Sequence, residues 1–153
     1  MKALLLLSLL VTLAATTTVT TFKECTDGPS GVVKSLDVTA DCSSGACHMQ
    51  HNHNVTLSVT FQSGSDITEA KTVVYGIIFG ALKVPDPFPG MPPNACQNIV
   101  GGCPVTAGTT RTYNATVFVQ PFYPKLRLAA QWELHDQANH KVFCFVVPVE
   151  VVD

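Results

Sequence analysis

Charged side chains are scarce in this sequence, since Asp, Glu, Lys and Arg make up only 13% of its 153 residues. Nine basic residues stand against eleven acidic ones, the formal net charge is -2, and Lys and Arg form no cluster. Proteins that bind nucleic acid carry a clustered excess of Lys and Arg. The composition therefore predicts no nucleic-acid partner.

Motifs of the common catalytic sites are also missing. The chain has no Gly-x-Ser-x-Gly elbow, no His-Glu-x-x-His and no phosphate-binding glycine loop. His135 and Asp136 are adjacent, but neighbours on a strand point to opposite faces, so they do not form a catalytic pair. We expect no enzymatic activity, no catalytic residue and no cofactor.

The longest apolar run lies at the N-terminus, where Lys2 precedes an apolar segment from Ala3 to Leu13 that ends in small residues. A membrane-spanning helix needs about 20 apolar residues, so this segment is too short to be an anchor. The pattern is typical of a secretory signal peptide. We predict a signal peptide over residues 1–17, with cleavage between residues 15 and 21, and one domain over residues 18–153.

All six cysteines follow that segment, and an even count in a secreted chain indicates three disulfides. Six cysteines allow fifteen pairings. Two pairs are close in sequence across glycine-containing segments, Cys42 with Cys47 and Cys96 with Cys103. Cys25 is then left with Cys144. A zinc site built from the same thiols is the alternative, but the spacing does not repeat a metal-knuckle pattern, and we expect no metal.

Alternation of apolar and polar residues dominates the rest of the chain. In Lys125–His135, every second residue from Leu126 to Leu134 is apolar, which is typical of a strand with one buried and one solvated face. Further strands are predicted over residues 32–38, 55–61, 73–79, 113–119 and 143–152, with one weak helical turn near residues 68–71. Gly76 interrupts one strand and leaves room for a close approach to its backbone. Short strands separated by turns predict an all-β, two-sheet sandwich.

A cluster of three histidines and two glycosylation sequons are the remaining local signals. His48, His51 and His53 precede the strand that begins near Val55, and we expect His51 and His53 to share one strand face. They could hold a surface metal ion, or they could simply be a solvated lead-in to the strand. Asn54 and Asn114 begin Asn-x-Thr sequons, so both must be exposed if they are glycosylated.

Several segments resemble Niemann-Pick C2 proteins of the ML (MD-2-related lipid-recognition) domain family. The resemblance extends from about Phe22 to Val152, and the order of the cysteines agrees throughout. The segments that carry it are Phe22-Lys23-Glu24-Cys25, Cys42-Ser43-Ser44-Gly45-Ala46-Cys47, Val73-Val74-Tyr75-Gly76-Ile77, Pro87-Phe88-Pro89, Gln131-Trp132-Glu133-Leu134, Phe143-Cys144-Phe145 and Val147-Pro148-Val149.

The resemblance implies an immunoglobulin-like β-sandwich without enzymatic activity, whose sheets enclose an apolar lipid cavity. It also implies the disulfide pairing favoured above. Phe88, Val119 and Tyr123 fall at the positions that line the mouth of the cavity in this family. The chain departs from the family pattern at this entrance, where Phe122 adds a ring and residues 85–93 are rearranged; the Cys96–Cys103 loop is also one residue longer. The full set of expected lipid contacts is Val55, Leu57, Val59, Val74, Ile78, Phe88, Val119, Tyr123, Trp132 and Phe145.

We therefore expect a carrier that binds a cholesterol-like sterol and transfers it to a membrane or a receptor. The expected location is extracellular or the lysosomal lumen. An extracellular carrier of fatty acids or semiochemicals and an innate-immune protein that recognises microbial lipid are the alternatives. The expected partners are a sterol or other lipid and, transiently, a membrane or membrane receptor, and we expect a monomer.

Overall fold

Two β-sheets account for most of the structure, a computed structural model that describes residues 15–85 and 90–153. The four-stranded sheet has the order β1 (Thr17–Thr18), β3 (Val32–Val38), β5 (Asn54–Gln62) and β8 (Thr110–Phe118). The other sheet has the order β2 (Lys23–Glu24), β10 (Lys141–Val152), β9 (Arg127–Asp136), β6 (Ala70–Ile78) and β7 (Leu82–Pro85). A sixth strand, β4 (Cys47–Gln50), pairs in parallel with β10. The expected two-sheet sandwich is confirmed.

The alternation in the sequence decides which side of each strand is buried. In β5, Val55, Leu57, Val59 and Phe61 are buried, whereas the threonines and the serine between them are partly exposed. These apolar residues pack against the inner faces of β9 and β10. Burial of that apolar surface stabilises the sandwich by roughly 25 cal/mol per Å².

Strand β10 lies in the centre of the six-stranded sheet although it contains Pro148. One side of β10 pairs with β9, and the other side is shared by two short strands. On that side, β2 pairs with Phe145 and Val146, and β4 pairs from Val149 onward. Pro148 falls in the gap between them. A proline is tolerated there, since no strand on that side needs its missing N–H.

One end of the sandwich is filled by aromatic rings. Phe143 is fully buried, with its ring centroid 5.2 Å from that of Phe61, 5.6 Å from Tyr113 and 6.0 Å from Phe145. Trp132 donates its indole N–H to the Tyr113 hydroxyl at 3.3 Å. This end is therefore a packed core with a small polar centre.

The three predicted disulfides are confirmed. Cys25–Cys144 joins the segment after β2 to β10 across 119 residues of sequence, whereas Cys42–Cys47 and Cys96–Cys103 close short loops. The described residues include no free cysteine. The sulfur atoms are therefore held in covalent bridges rather than offered to a metal ion.

Two local expectations were wrong. Residues 68–71 form no helical turn, because Ala70 already pairs with Asp136 at the start of β6. His51 and His53 do not share a strand face, because the chain turns between β4 and β5 with Asn52 at a φ of 61°. The described helix is instead a 3-10 turn at Ala95–Asn98, which is capped by the side chain of Asn94.

Within residues 15–85 and 90–153, no helix is both long and apolar enough to cross a membrane. The signal peptide predicted over residues 1–17 lies mainly in residues 1–14, outside the described part of the chain.

Candidate functional site

A cavity of about 300 Å³ lies at the end of the sandwich away from the aromatic rings. The inner face of the six-stranded sheet forms its floor, and the connection from β8 to β9 forms one wall. Its lining is almost entirely apolar and comprises Met49, Val74, Tyr75, Gly76, Ile78, Val84, Pro85, Val119, Tyr123, Pro124, Leu126, Leu128, Ala130, Val149 and Val151.

The cavity follows from a change in side-chain size along the strands. The inward residues of β10 change from Phe143 and Phe145 to Val149 and Val151, and those of β9 change from Trp132 to Ala130 and Leu128. The two sheets continue past this change, but the side chains between them become smaller. Space that the rings fill at one end is therefore left open at the other.

Gly76 enlarges the cavity from the side of β6. A Cβ atom at this position would lie 3.1 Å from the Cδ1 atom of Leu128, closer than an ordinary van der Waals contact. Both residues line the cavity. The glycine thus leaves room that the side chain of any other residue would occupy, as expected from the break that it makes in the predicted strand.

A smaller compartment of about 60 Å³ continues the cavity between the two sheets. Both compartments are lined by Met49, Val74, Ala130 and Val149, so these four side chains form the boundary between them. Met49 is the flexible member of the set. An unbranched methionine can change its rotamer to fill or vacate such a boundary at low cost.

The wall of the larger compartment is the crossover from the four-stranded to the six-stranded sheet, which we call the crossover segment (residues 119–126). Its first residue is fixed by two backbone hydrogen bonds, Val119 N–H to His53 O at 3.0 Å and Asn52 N–H to Val119 O at 2.8 Å. Its last residue, Leu126, accepts a backbone bond from Val151 at 3.0 Å. Tyr123 and Pro124 lie between these anchors and contact the cavity.

Exposed apolar side chains surround the opening. Phe79, next to Ile78, is 92% exposed, and Phe122, next to Tyr123, is 76% exposed. Leu82, which pairs with Ile78, is also exposed. Phe79 has a φ of 53°, a left-handed conformation that is unfavourable for a bulky residue. An exposed ring that is held in an unfavourable backbone conformation, as at Phe79, points to a role outside the fold.

The predicted lipid contacts divide into four groups. Val74, Ile78, Val119 and Tyr123 line the larger compartment. Val55, Leu57, Trp132 and Phe145 line the smaller one, together with Val74. Val59 is fully buried and lies farther along β5, opposite Leu36 and Tyr113, outside both linings. Phe88 lies outside the described residues.

Several lining residues were missing from the prediction, notably Met49, Val84 and Pro85. Met49 and Val84 lie on the short strands β4 and β7, which have no clear alternation in the sequence. Leu126, Leu128 and Ala130 were predicted on the apolar face of β9 but were not included among the lipid contacts. The change from phenylalanines to valines along β10 is the signal that could have placed them at a cavity.

The three histidines near β4 turn towards different partners. The ring of His51 contacts the backbone oxygen of Tyr123 at 2.8 Å and the Asp153 carboxylate at 3.2 Å. His53 contacts the His51 backbone oxygen at 2.8 Å, and His48 contacts the Ser44 hydroxyl at 3.2 Å. Their nitrogens do not converge on one point.

Comparison with known proteins identifies the family. The model of the ML domain matches residues 19–151. NPC intracellular cholesterol transporter 2 from Bos taurus is 32% identical over 130 residues, which cover 85% of this chain and 83% of that protein. The ecdysteroid-regulated 16 kDa protein of Manduca sexta is 33% identical over 105 residues, 69% of this chain and 70% of that protein.

Among solved structures, a Niemann-Pick type C2 protein from the Japanese carpenter ant superposes with a TM-score of 0.76 at 22% identity. The match covers 86% of this chain and 98% of the ant protein, and it supports the fold. The chain belongs to the ML-domain family, as the resemblance in its sequence indicated.

Proposed function

We propose that this protein is a carrier that binds a sterol of the cholesterol type in the larger compartment. The observation that carries the proposal is the apolar cavity of about 300 Å³. Ligand sites of this kind bind mainly by burial of apolar surface, with a few polar groups that orient the ligand. The similarity to proteins named cholesterol transporters supports a sterol as the ligand.

The expected affinity follows from ligand size. A sterol of roughly thirty heavy atoms gains about 0.3 kcal/mol per atom, or about 9 kcal/mol in all, which corresponds to sub-micromolar binding. Tyr123 of the crossover segment is the lining residue whose hydroxyl could orient that of the sterol. No covalent chemistry is needed, because the ligand is carried and not converted.

Transfer to a membrane or a membrane receptor is the second part of the proposal. Phe79, Leu82 and Phe122 present exposed apolar surface next to the opening. Exposed Phe and Leu side chains can insert into the boundary between the lipid headgroups and the acyl chains. A monomer that docks through this rim would keep the sterol out of water while it moves between the cavity and the bilayer.

Secretion is the route by which such a carrier would reach the extracellular space or the lysosomal lumen. The predicted signal peptide supports it, as do the three disulfides, which form and persist in oxidising compartments.

Asn54 and Asn114 are both exposed on the outer face of the four-stranded sheet, where an oligosaccharide would not cover the cavity. We propose that both carry glycans, and a mass shift on glycosidase treatment of secreted protein that disappears in the Asn54→Gln, Asn114→Gln double variant would verify it.

Adjacent alanines on β9 allow a matched test of the site. Ala130 lines both compartments, whereas Ala129 pairs with Pro148 and Ile77 on the outer face of the same strand. Ala130→Phe places a ring in the cavity, and Ala129→Phe places the same ring outside it. The measurement is the Kd of the fluorescent sterol dehydroergosterol, with thermal unfolding of each variant recorded in parallel.

We expect Ala130→Phe to weaken sterol binding at least tenfold, about 1.4 kcal/mol, and Ala129→Phe to change it less than twofold. Equal, parent-like affinity in both variants would mean that the cavity is not the binding site. Competition between labelled cholesterol and a fatty acid on the parent protein distinguishes the ligand classes.

A carrier of fatty acids is the second candidate, because the narrow inner compartment suits an extended chain better than a ring system. Met49→Ala removes the flexible side chain at the boundary and joins the two compartments. If fatty acids are the ligand, this variant should bind long chains more tightly than the parent while short chains are unaffected. A sterol carrier should show no such dependence on chain length.

A further inference from the structure

A histidine outside the cavity contacts the backbone in the middle of the crossover segment. His51 lies in the turn between β4 and β5, where its side chain is only 12% exposed, and its backbone N–H donates to Val152 O at 2.8 Å. Its Nε2 atom lies 2.8 Å from the backbone oxygen of Tyr123, and its Nδ1 atom lies 3.2 Å from a carboxylate oxygen of Asp153. One ring thus joins the cavity wall to the residue that follows β10.

Both contacts of this ring are with acceptors. A backbone oxygen and a carboxylate can accept hydrogen bonds but cannot donate them. A neutral imidazole carries one N–H and can satisfy only one of the two contacts, whereas the protonated ring donates to both. The strength of the contacts from His51 to Tyr123 and Asp153 therefore depends on the protonation of His51.

The surrounding charges favour this arrangement. Asp153 also accepts a hydrogen bond from Lys125 of the crossover segment at 2.6 Å. That bond, with the contact from His51, lowers the pKa of the Asp153 carboxyl, so it stays ionised in mildly acidic solution. His53, whose Nδ1 contacts the His51 backbone oxygen, is the other titratable group of the turn. The titratable or charged groups nearby on β4, β9 and β10 are His48, Arg127 and Glu150. His48 and Arg127 both contact the Glu150 carboxylate.

We propose that His51 is a positioning residue for the cavity: when protonated, it clamps the crossover segment at Tyr123 and slows exchange of the bound lipid. The assignment rests on the proposed carrier function, because Tyr123 and Pro124 are taken as the wall that must move when a ligand passes. Acidification through the range in which histidines titrate then slows lipid exchange, and neutral solution speeds it.

The test uses the full secreted chain and measures release of dehydroergosterol to phosphatidylcholine vesicles between pH 5 and pH 7.5. In the parent protein we expect release to be about three- to tenfold slower at the acidic end, the size of one charge-assisted hydrogen bond that is partly exposed. His51→Gln retains a donor for the Tyr123 oxygen but cannot titrate, so its release rate should be independent of pH. His53→Gln, the matched control, should keep the parent's pH profile.

Hydrogen exchange of the lipid-free protein is the second measurement, and it separates this inference from the proposed function. Amides of residues 120–126, corrected for the intrinsic pH dependence of exchange, should be better protected at pH 5 than at pH 7.5 in the parent and equally protected in His51→Gln. That result upholds the clamp even if the protein binds no sterol. A His51→Gln variant that keeps the parent's pH dependence in both measurements would overturn it.

Discussion

Tyr113 shows how one polar group is accommodated in the packed end of the sandwich. Its ring is fully buried, and its hydroxyl lies 2.6 Å from the Thr72 hydroxyl and 3.3 Å from the Trp132 indole nitrogen. Burial disfavours the phenolate and raises the pKa of Tyr113 to about 12. The neutral phenol is therefore part of the folded state.

The raised pKa predicts a loss of stability in alkali. Because the pKa is raised in the folded state, its contribution is fully present below pH 10 and is lost as the pH rises from about 10 to about 12. A difference of about two pKa units corresponds to about 3 kcal/mol. In an absorbance titration of phenolate, one of the three tyrosines should ionise late, together with unfolding.

Tyr113→Phe is the variant that checks this assignment. It should lose the late absorbance change and show a weaker decrease in unfolding free energy between pH 10 and pH 12. At neutral pH it should be less stable than the parent by about 1 kcal/mol, because the hydroxyl's hydrogen bonds are removed. Loss of absorbance amplitude near pH 10, with the late phase retained, would show that Tyr113 is not the buried tyrosine.

At the scale of strands, Cys25–Cys144 is the longest-range covalent connection. It ties the segment after β2 to β10, and the Cys25 N–H also donates to the Cys144 backbone oxygen at 3.0 Å. Beside it, the buried carboxylate of Glu133 contacts Gln131, His135 and Lys141 on the outer face of the six-stranded sheet. The bridge therefore holds the chain next to a buried cluster of polar side chains.

Removing this bridge should destabilise the protein strongly. Closing a loop of 119 residues is worth about 4 to 5 kcal/mol in the chain-entropy model. The double variant Cys25→Ser, Cys144→Ser should therefore melt far below the parent in calorimetry, whereas Cys42→Ser, Cys47→Ser, which opens a loop of five residues, should lose less. Similar melting temperatures for the two double variants would contradict this ranking.

The strands differ in how well the sequence predicts them. β5, β8 and β9 alternate regularly, so their buried faces could be identified from residue type alone. β4 and β7 are four residues long, and each exists because a longer neighbour, β10 or β6, supplies its hydrogen bonds. Pairing of that kind is a tertiary property. The expected helical turn at residues 68–71 failed for the same reason.

The candidate site was predictable to a similar degree. Val74, Ile78, Val119 and Tyr123 were expected at the ligand and do line the larger compartment. Met49 could not be identified, because its position depends on the parallel pairing of β4 with β10. The fastening of Tyr123 by His51 also joins residues that lie 72 positions apart, a contact that no local pattern reveals.

At the scale of the whole molecule, the two ends of the sandwich have different tasks. Aromatic rings fill one end and stabilise the fold, while valines, Ala130 and Gly76 leave the other end open. The exposed rings of Phe79 and Phe122 are next to the open end. A carrier needs this division, because its binding region must open without unfolding the core.

Photolabelling by a diazirine analogue of cholesterol, followed by peptide mapping, tests directly whether a sterol occupies this cavity. We predict labels within residues 74–78 and 119–130, with the labelling abolished by excess unlabelled cholesterol and by Ala130→Phe but retained in Ala129→Phe. Labels confined to the outer face of the four-stranded sheet, or labels that unlabelled cholesterol does not displace, would contradict it.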